Sequence, residues 1–360
     1  MTEQNPLLDE FISAGIERRA SDIHITVGCP PTLRIDGELV QLKHDPLSIE
    51  QVKNIVRSLV SEEGRGQLER GREIDVAFSV AGGWRIRCNI FLQRGSPSVA
   101  VRLIPSEFKS FEELGLPTVI YDVVKLSQGL VLVTGPTGSG KTTTLASVIN
   151  YINQNRSSHI ITIEDPIEYI HKHGKSIIHQ REVGSDTHSF ADALKYVLRE
   201  DPNVILIGEM RDLETIAAAL TVAETGHLVF ATLHTPDASQ SVNRIIDVFP
   251  PYQQMQIRAQ LSFVLQAVFT QKLLPQASGK GRALACEVLI ATSGIRALIR
   301  DQKEEQIPLS IQTGAKYGMQ TMNASLVDLY RRGKIDYQQT LAASSDIEDI
   351  KRLLANKGKS

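Results

Sequence analysis

VLVTGPTGSGKTTT, residues Val131–Thr144, is the clearest structural signal in the chain. Val131–Thr134 are apolar or β-branched and predict a short strand that runs directly into Gly135. Gly135–Thr142 then has the spacing Gly-x4-Gly-Lys-Thr, in which the glycines let backbone N–H groups turn towards an anion while the next helix points its N-terminus there. Apolar residues at helical spacing follow the loop. The strand, loop and helix together predict a nucleotide-binding site.

The pattern of this loop predicts which residues contact the nucleotide. Lys141 is expected to reach the β- and γ-phosphates, and the Thr142 hydroxyl is expected to ligate Mg²⁺. ATP and Mg²⁺ are therefore the predicted cofactors. The other expected contacts come from Gly135, Pro136, Thr137, Gly138, Ser139, Gly140 and Thr143.

Length and composition favour a soluble protein with two domains. The 360 residues suffice for two cores, and 42% apolar with 22% charged residues is ordinary for a globular chain. The 39 basic and 41 acidic side chains give a net charge of -2, so no overall field attracts nucleic acid or anionic lipid. The sequence shows neither a signal peptide nor an apolar run long enough to span a bilayer, and we expect a cytoplasmic location. Cys29, Cys88 and Cys286 lie far apart and are interpreted as packing residues rather than zinc ligands or disulfide partners.

The residues before the loop predict a small α+β domain at 1–105. Apolar spacing predicts helices over Pro6–Arg19 and Ile49–Val60, and Asp36-Gly37 between two alternating runs predicts a hairpin. Three further strands are predicted over Glu73–Val80, Trp84–Arg94 and Ser98–Ile104. Their alternation places Arg85, Arg87 and Asn89 on the face opposite Ile86, Cys88 and Ile90.

From Gly129 onward, predicted strands and helices alternate, which indicates an α/β fold class with a largely parallel, helix-covered sheet. The second domain is predicted at 128–360, after a linker at 106–127. The part from about Tyr252 is predicted to be mostly helical, with one apolar face formed by Ile257, Leu261, Val264, Leu265 and Val268. The other predicted strands are HIITIED, KSIIHQRE, NVILIGE and HLVFATLH, and the helices are 142–155, 190–199, 213–224 and 238–247.

One predicted strand end carries a carboxylate suited to a metal-dependent hydrolase. Asn203–Ile207 leads into Gly208-Glu209, where nucleotide-hydrolysing parallel sheets place the Walker B acid. Gly208 stands where an Asp is expected. We therefore expect Glu209 to lie near the metal and to contact it through water.

A second strand end carries Glu164 and Asp165, which follow Ile160–Ile163. Ligands of such sheets bind at the carboxyl ends of the strands, so we expect Glu164 to orient or deprotonate the attacking water, with Asp165 as the next choice. Acidic residues before a proline also serve simply to cap turns.

Two histidines flank the apolar run LVFATL. An extended strand of seven residues spans roughly 23 Å, so His227 and His234 are not expected to share a metal. His234, beside Thr232 and Thr235, is interpreted as a sensor of the γ-phosphate region. His227 suits a structural role nearly as well.

Several arginines are candidates for stabilising the transition state. Arg211 follows Glu209, and Arg199 precedes the same strand. Arg87, Arg94 and Arg102 lie on predicted strands of the first domain, where they form a solvated face in a monomer. In an oligomer they are candidate arginine fingers, worth on the order of a thousandfold or more in rate.

Four motifs in this sequence closely resemble those of the secretion and type IV pilus ATPase superfamily, and within it those of the pilus retraction ATPases. The resemblance extends over essentially the whole chain. GPTGSGKTTT resembles the family's Walker A motif, and ITIEDPIEYIH resembles its Asp box. DPNVILIGEMRD is similar to its atypical Walker B motif, and TGHLVFATLHT to its His box, in the same order. The family's Walker B motif ends in Gly-Glu, which accounts for Gly208.

The resemblance implies a RecA-like ATPase domain and an N-terminal PAS-like domain that sits over a neighbour's ATPase domain in a homo-hexamer. Arg87 and Arg102, with Arg94 third, would complete the neighbour's site. The implied work is pilus retraction, which drives twitching motility. The implied partners are an inner-membrane pilus platform protein and a PilU-type ATPase, through which the protein would be recruited to the membrane.

The segment GIRALIRDQ, Gly294–Gln302, resembles a motif tied to retraction. It departs from that motif at positions 294, 297 and 301. It keeps Ile295, Arg296, Leu298, Ile299 and Arg300.

Other functions remain open from the sequence. A PilU-type accessory role and a related secretion role share all four motifs, although three cysteines cannot form the four-cysteine zinc element of assembly and secretion relatives. More remote alternatives are a P-loop kinase and a nucleic-acid translocase. The near-neutral charge and the single tryptophan, Trp84, offer little to a nucleic acid, so none is predicted as a partner.

Overall fold

The computed structural model describes residues 5–35, 37–71, 73–80, 84–104 and 107–355. Its backbone contacts divide the chain into two compact units, of which the first holds the residues up to Glu107 and the second nearly all of those from Phe108 on. Within the described ranges, none of the helices is both long enough and apolar enough to cross a membrane.

The first unit is a six-stranded antiparallel sheet with helices against it, in the strand order β3-β2-β1-β6-β5-β4. Local capping sets the helix starts. Asn5 Oδ1 accepts the N–H groups of Leu7 and Leu8, and Ser48 forms a reciprocal capping box with Gln51. The elements are α1 (Pro6–Glu17), β1 (Asp22–Thr26), β2 (Thr32–Ile35), β3 (Glu38–Gln41), α2 (Ile49–Leu59), α3 (Glu62–Glu69), β4 (Ile74–Ser79), β5 (Arg85–Gln93) and β6 (Ser96–Ile104).

Predicted and observed elements of this unit agree closely. Ile86, Cys88 and Ile90 are fully buried on β5, while the alternate residues face outward, as the period of two predicts. The hairpin between β2 and β3 is present, although Asp36 lies outside the described residues. The sequence did not predict α3, since its residues EEGRGQLE include two glycines and only one apolar side chain.

The second unit is built on a seven-stranded sheet in the order β13-β12-β7-β11-β10-β8-β9. In this sheet, the described strands pair in parallel except for β13, which runs antiparallel to β12. The strands are β7 (Gly129–Thr134), β8 (His159–Glu164), β9 (Ile177–Glu182), β10 (Val204–Ile207), β11 (Leu228–Leu233), β12 (Leu265–Pro275) and β13 (Arg282–Ile290).

Helices cover both faces of this sheet. Leu130 and Leu132 belong to one apolar cluster, and Val131 and Val133 belong to another, because successive residues of β7 point to opposite faces. The helices are α4 (Phe111–Leu114), α5 (Ile120–Val123), α6 (Lys141–Asn155), α7 (Phe190–Val197), α8 (Leu213–Glu224), α9 (Ala238–Asp247), α10 (Pro251–Val264), α11 (Ser293–Arg300), α12 (Ile307–Thr313), α13 (Met322–Arg331), α14 (Tyr337–Ala343) and α15 (Ile347–Ala355).

The helical face predicted beyond Tyr252 needs a correction. Ile257, Leu261 and Val264 are buried on α10, but the helix ends at Val264. Leu265 and Val268 lie on β12, which pairs with the central strand β7. Apolar residues fall at both helical and strand spacing here, and periodicity alone does not separate a buried strand from a buried helix. A second strand, β13, pairs with β12, so the part of the chain predicted to be mostly helical from about Tyr252 becomes helical throughout only from α11 onward.

The segment 106–127, predicted as a linker, contains α4 and α5. Phe111, Ile120 and Val123 are buried there and pack in the core of the second unit.

Candidate nucleotide-binding and catalytic site

The phosphate-binding loop joins the buried strand β7 to α6, near the centre of the parallel sheet. Gly135 has φ +135°, and a Cβ there would lie 2.4 Å from the carbonyl oxygen of Gln271 on β12. The loop therefore touches the backbone of a neighbouring strand and cannot carry a side chain at this point. Gly140 precedes α6 with φ +91° and has no side chain with which to cap it. The N-terminus of α6 is thus left to backbone donors, as anion binding requires.

The Lys141 ammonium lies over this loop. Its Nζ donates to the carbonyl oxygens of Gly135 at 2.8 Å and Pro136 at 3.1 Å. Burial lowers the pKa of Lys141, and the nearby Glu209 carboxylate acts in the opposite direction. Lys141 is buried, whereas Thr142 is exposed at the start of α6. The cation and the hydroxyl predicted to meet phosphate and metal are therefore placed on one helix start.

Polar groups packed beneath the loop fit a bound phosphate chain. Thr134 and Thr270 join β7 to β12 by a hydroxyl pair at 2.9 Å, and Gln271 Nε2 donates to Thr144 Oγ1 at 2.8 Å. Ser139 Oγ and Gln271 Oε1 are buried and have no hydrogen-bond partner within the described part of the chain. An unpartnered hydroxyl inside the loop, beside Lys141, suits an anionic ligand. Sequence reasoning missed Gln271, because it lies more than a hundred residues from the loop.

Parallel pairing brings the predicted acidic residues to one edge of the sheet. Ile207 of β10 lies between Ile163 of β8 and Ala231 of β11, so these three strands end side by side. Glu164 ends β8 and is only 8% exposed. Its Oε1 accepts hydrogen bonds from Thr162 Oγ1 at 2.6 Å and Gln180 Nε2 at 3.2 Å.

Glu209 lies just beyond β10 and is bound from two sides. His234 Nε2 lies 3.1 Å from Glu209 Oε1, and Arg211 Nε donates to the same oxygen. This ion pair raises the pKa of Arg211. The charge of Glu209 also acts on Lys141, where it opposes the lowering of the pKa by burial.

The structure gives a physical reason for glycine at position 208. A Cβ at Gly208 would lie 3.2 Å from the carbonyl oxygen of Ile163 and 3.3 Å from Glu164 Cα. Thr232 Oγ1 also donates to the Gly208 carbonyl at 2.6 Å. The chain between β10 and Glu209 is therefore packed between β8 and β11, where an aspartate would be crowded.

The chain has the sequence of a known family of secretion proteins. The profile of the family described as type II/IV secretion system protein matches residues 3–341. This chain belongs to that family. The type IV pilus retraction ATPase PilT of Pseudomonas aeruginosa is 45% identical over 328 residues, which cover 91% of this chain and 95% of that protein. The type IV pilus ATPase PilU of the same organism is 40% identical over 346 residues, covering 96% of this chain and 91% of its own length.

The fold is also similar to that of a solved structure from a pilus motor. A crystal structure of the pilus retraction motor PilT with bound ADP aligns with a TM-score of 0.89 at 50% identity, covering 97% of this chain and 100% of that one. The predicted fold class, a RecA-like P-loop ATPase domain with a smaller N-terminal α+β domain, is confirmed.

The described side chains near the loop include few that could bind a divalent cation. Within the described ranges, no group of three or more His, Cys, Asp or Glu side chains is placed to hold a metal ion. Mg²⁺ commonly keeps several waters and binds substrate phosphates with only one or two protein groups. Thr142 and Glu209 suit that sparse type of site.

Several other predicted residues lie away from this edge of the sheet or at its margin. His227 precedes β11, at the opposite end from His234, and its Nδ1 lies 3.1 Å from both the Val222 carbonyl and Thr225 Oγ1. Asp165 is exposed, and its charge contributes to the raised pKa of Arg211. Arg199 is exposed beyond α7.

The arginines of the first unit form a paired arrangement. Arg87 and Arg102 are cross-strand partners on β5 and β6. Arg102 Nε donates to Asp22 Oδ1 at 3.0 Å, and Arg87 Nε lies 3.8 Å from Asp75 Oδ1. Arg94 lies in the turn between the two strands with φ 48°.

The segment that resembles the retraction motif, Gly294–Gln302, lies in α11 up to Arg300. Ile295 and Ile299 are buried in the core, with Leu298 packed against it. Arg296 Nη1 donates to the carbonyl oxygens of Ser262 and Phe263, both at 2.6 Å, and thereby caps the end of α10. Burial lowers the pKa of Arg296. Arg300 is exposed, 3.6 Å from Asp301.

Proposed function

We propose that this chain is the ATPase of a type IV pilus retraction motor, whose hydrolysis of ATP drives twitching motility. The observation that carries the proposal is the edge of the parallel sheet at which the loop lysine Lys141 and two acids, Glu164 and Glu209, come together. Sequence identity of 45% with a pilus retraction ATPase supports the same activity.

Each residue at this edge has a proposed task in hydrolysis. The loop N–H groups, from Gly135 to Thr143, and the Ser139 hydroxyl bind the phosphates, and Lys141 leaves its two carbonyl partners for the β- and γ-phosphates. Glu164, held by Thr162 and Gln180, orients or deprotonates the water. His234, next to Glu209, senses the γ-phosphate. Mg²⁺ bound at Thr142, with Glu209 acting through water, would offset the negative charge of the phosphates.

The proposed motor is a homo-hexamer with a two-domain subunit, a PAS-like domain at 1–105 and an ATPase domain at 128–360. Arg87 and Arg102, with Arg94 third, act in a neighbour's site. All three lie on two adjacent strands or their connecting turn, which suits delivery of several guanidinium groups by one rigid element. Asp22 and Asp75 orient two of them before contact.

The proposed partners follow from the same function. The motor acts from the cytoplasm on an inner-membrane platform protein of the pilus, to which it is recruited, and α11 contributes to retraction. A PilU-type ATPase is a further proposed partner, and nucleic acid is not one.

The first test measures phosphate release against protein concentration, in parallel with native mass, with and without Mg-ATP. Specific activity should rise as the chain assembles into hexamers, because the site is shared between neighbours. A fully active monomer would contradict the shared site. Phosphate transfer to a small-molecule acceptor, rather than release, would favour a kinase.

The accessory role of a PilU-type ATPase is a second candidate, favoured by 40% identity to PilU along 96% of the chain. Expression of this chain in bacteria that lack either their own retraction ATPase or their PilU separates the two. Restored twitching in the first strain alone supports the main role. Restoration only in the second supports the accessory role.

A further inference from the structure

Gln180 lies on the edge strand β9, beside the acid that ends β8. The register pairs Thr162 with Gln180 and Glu164 with Glu182. Because side chains alternate along a strand and partners in register share a face, Thr162, Glu164 and Gln180 lie on one face of the sheet. Their approach therefore follows from the sheet itself.

The direction of the Gln180 amide is determined by chemistry. The backbone N–H of His171 donates to Gln180 Oε1 at 2.8 Å, and a backbone N–H can only donate. The amide nitrogen must then face the other way, where Nε2 donates to Glu164 Oε1 at 3.2 Å. Gln180 thus presents an N–H donor, and not an oxygen, to the carboxylate.

His171, which donates to Gln180, is itself held in place by an aromatic contact. The ring of His171 stacks on Phe108 with a centroid distance of 4.6 Å and an interplanar angle of 21°. Burial lowers the pKa of His171 to about 4, so the ring is neutral at ordinary pH. A stacked, uncharged and partly buried ring holds the main chain of His171 in place, and Gln180 is bound to that main chain.

The groups around Glu164 explain why a hydrogen-bond donor would stabilise its carboxylate. Glu182 is its register partner on β9, and two carboxylates at paired positions repel each other. Glu182 Oε2 accepts the N–H of Ile167 at 3.0 Å. The hydroxyl of Thr162 also donates to Glu164 Oε1, but it can rotate about its C–O bond, whereas the anchored amide cannot.

We propose that Gln180 is a positioning residue that holds the Glu164 carboxylate, ionised and correctly oriented, through an amide anchored on the main chain of His171. This inference rests on the proposed function, in which Glu164 acts on the attacking water. In this role Gln180 acts on the reaction through Glu164 and not through a contact of its own with the nucleotide or the water.

Two substitutions at Gln180 test this role in the full-length protein. Gln180→Glu keeps an acceptor for His171 but replaces the donor with a second carboxylate 3.2 Å from Glu164. We expect kcat to fall by about tenfold or more, because small displacements of a catalytic group cost up to about a hundredfold. The KM for ATP should change by less than about twofold, since the loop is untouched. The acid limb of the kcat–pH profile should move to higher pH, because like charges favour a shared proton.

Gln180→Met keeps the length of the side chain without either polar group, and it should lower kcat without moving the acid limb. Gln256→Glu adds the same charge on the exposed side of α10 and serves as the control, with kinetics like those of the wild type. Unfolding midpoints and ADP affinity are measured for every variant. Wild-type kcat in either folded variant at position 180, or a loss that appears entirely in ADP affinity, would overturn the proposal.

Glu164→Gln separates this proposal from the one it rests on. Loss of turnover in Glu164→Gln, with wild-type kcat in Gln180→Met, would refute the role of Gln180 alone. Full turnover in Glu164→Gln would refute the role of Glu164, and with it the positioning role.

Discussion

Replacing Gly135 by alanine should destabilise the second unit even before any nucleotide is considered. Gly135 has φ +135°, a conformation that costs a residue with a Cβ about 1–3 kcal/mol. The new Cβ would also lie 2.4 Å from the backbone oxygen of Gln271, and relieving such an overlap costs about 1–3 kcal/mol. We therefore expect Gly135→Ala to lower the free energy of unfolding by about 2–6 kcal/mol.

The same loop provides a matched control. Gly138 also has a positive φ, +80°, but a Cβ there would meet none of the described atoms within 4 Å. Gly138→Ala should therefore cost only the backbone penalty of about 1–2 kcal/mol. Urea unfolding without nucleotide, followed by circular dichroism, measures both variants. Equal losses in the two, or wild-type stability in Gly135→Ala, would refute the argument that the loop is packed on the backbone of β12.

Three further predictions concern catalysis and pH. Lys141→Ala and Glu209→Ala should nearly abolish phosphate release while leaving the unfolding midpoint close to that of the wild type, and wild-type turnover in either would contradict the site. Arg102→Ala should lose turnover but bind ATP normally, and subunits with an intact Arg102 should restore activity in mixed hexamers; normal assembly without rescue would argue against action on a neighbour. The pKa of His171 is lowered to about 4 in the folded state, whereas that of an unfolded histidine is about 6.5. The free energy of unfolding should therefore be unaffected by this residue above about pH 6.5. It should decrease as the pH falls from there towards 4, by up to about 1.4 kcal/mol per pH unit. Urea unfolding at several pH values should show this slope weakened in His171→Asn and kept in the control His188→Asn, whose side chain is exposed.

Local sequence was enough to predict the elements that surround the loop. Val131–Thr134 is continuously apolar or β-branched because β7 is buried on both faces, and the glycines that follow are required by positive φ values. The acids Glu164 and Glu209 could be predicted as neighbours because parallel strands present their carboxyl ends at one edge. Each of these inferences uses only the order of residues along the chain and the period of a strand.

Other features could not be predicted, because they depend on which strands pair. Leu265–Pro275 has an apolar pattern that suits either a helix or a strand, and pairing with β7 determines that it is a strand. That pairing also places Gln271 beneath the loop, and the pairing of β8 with β9 places Gln180 beside Glu164.

The sequence by itself determined the loop, the strand and helix alternation and the acids at strand ends, since these follow from interactions between residues close along the chain. Tertiary structure alone decided why Gly208 is not an aspartate and which polar side chains hold the acids in place. The physical reason is that segments distant in sequence form hydrogen bonds and close backbone contacts only after the strands have paired in their final order and register.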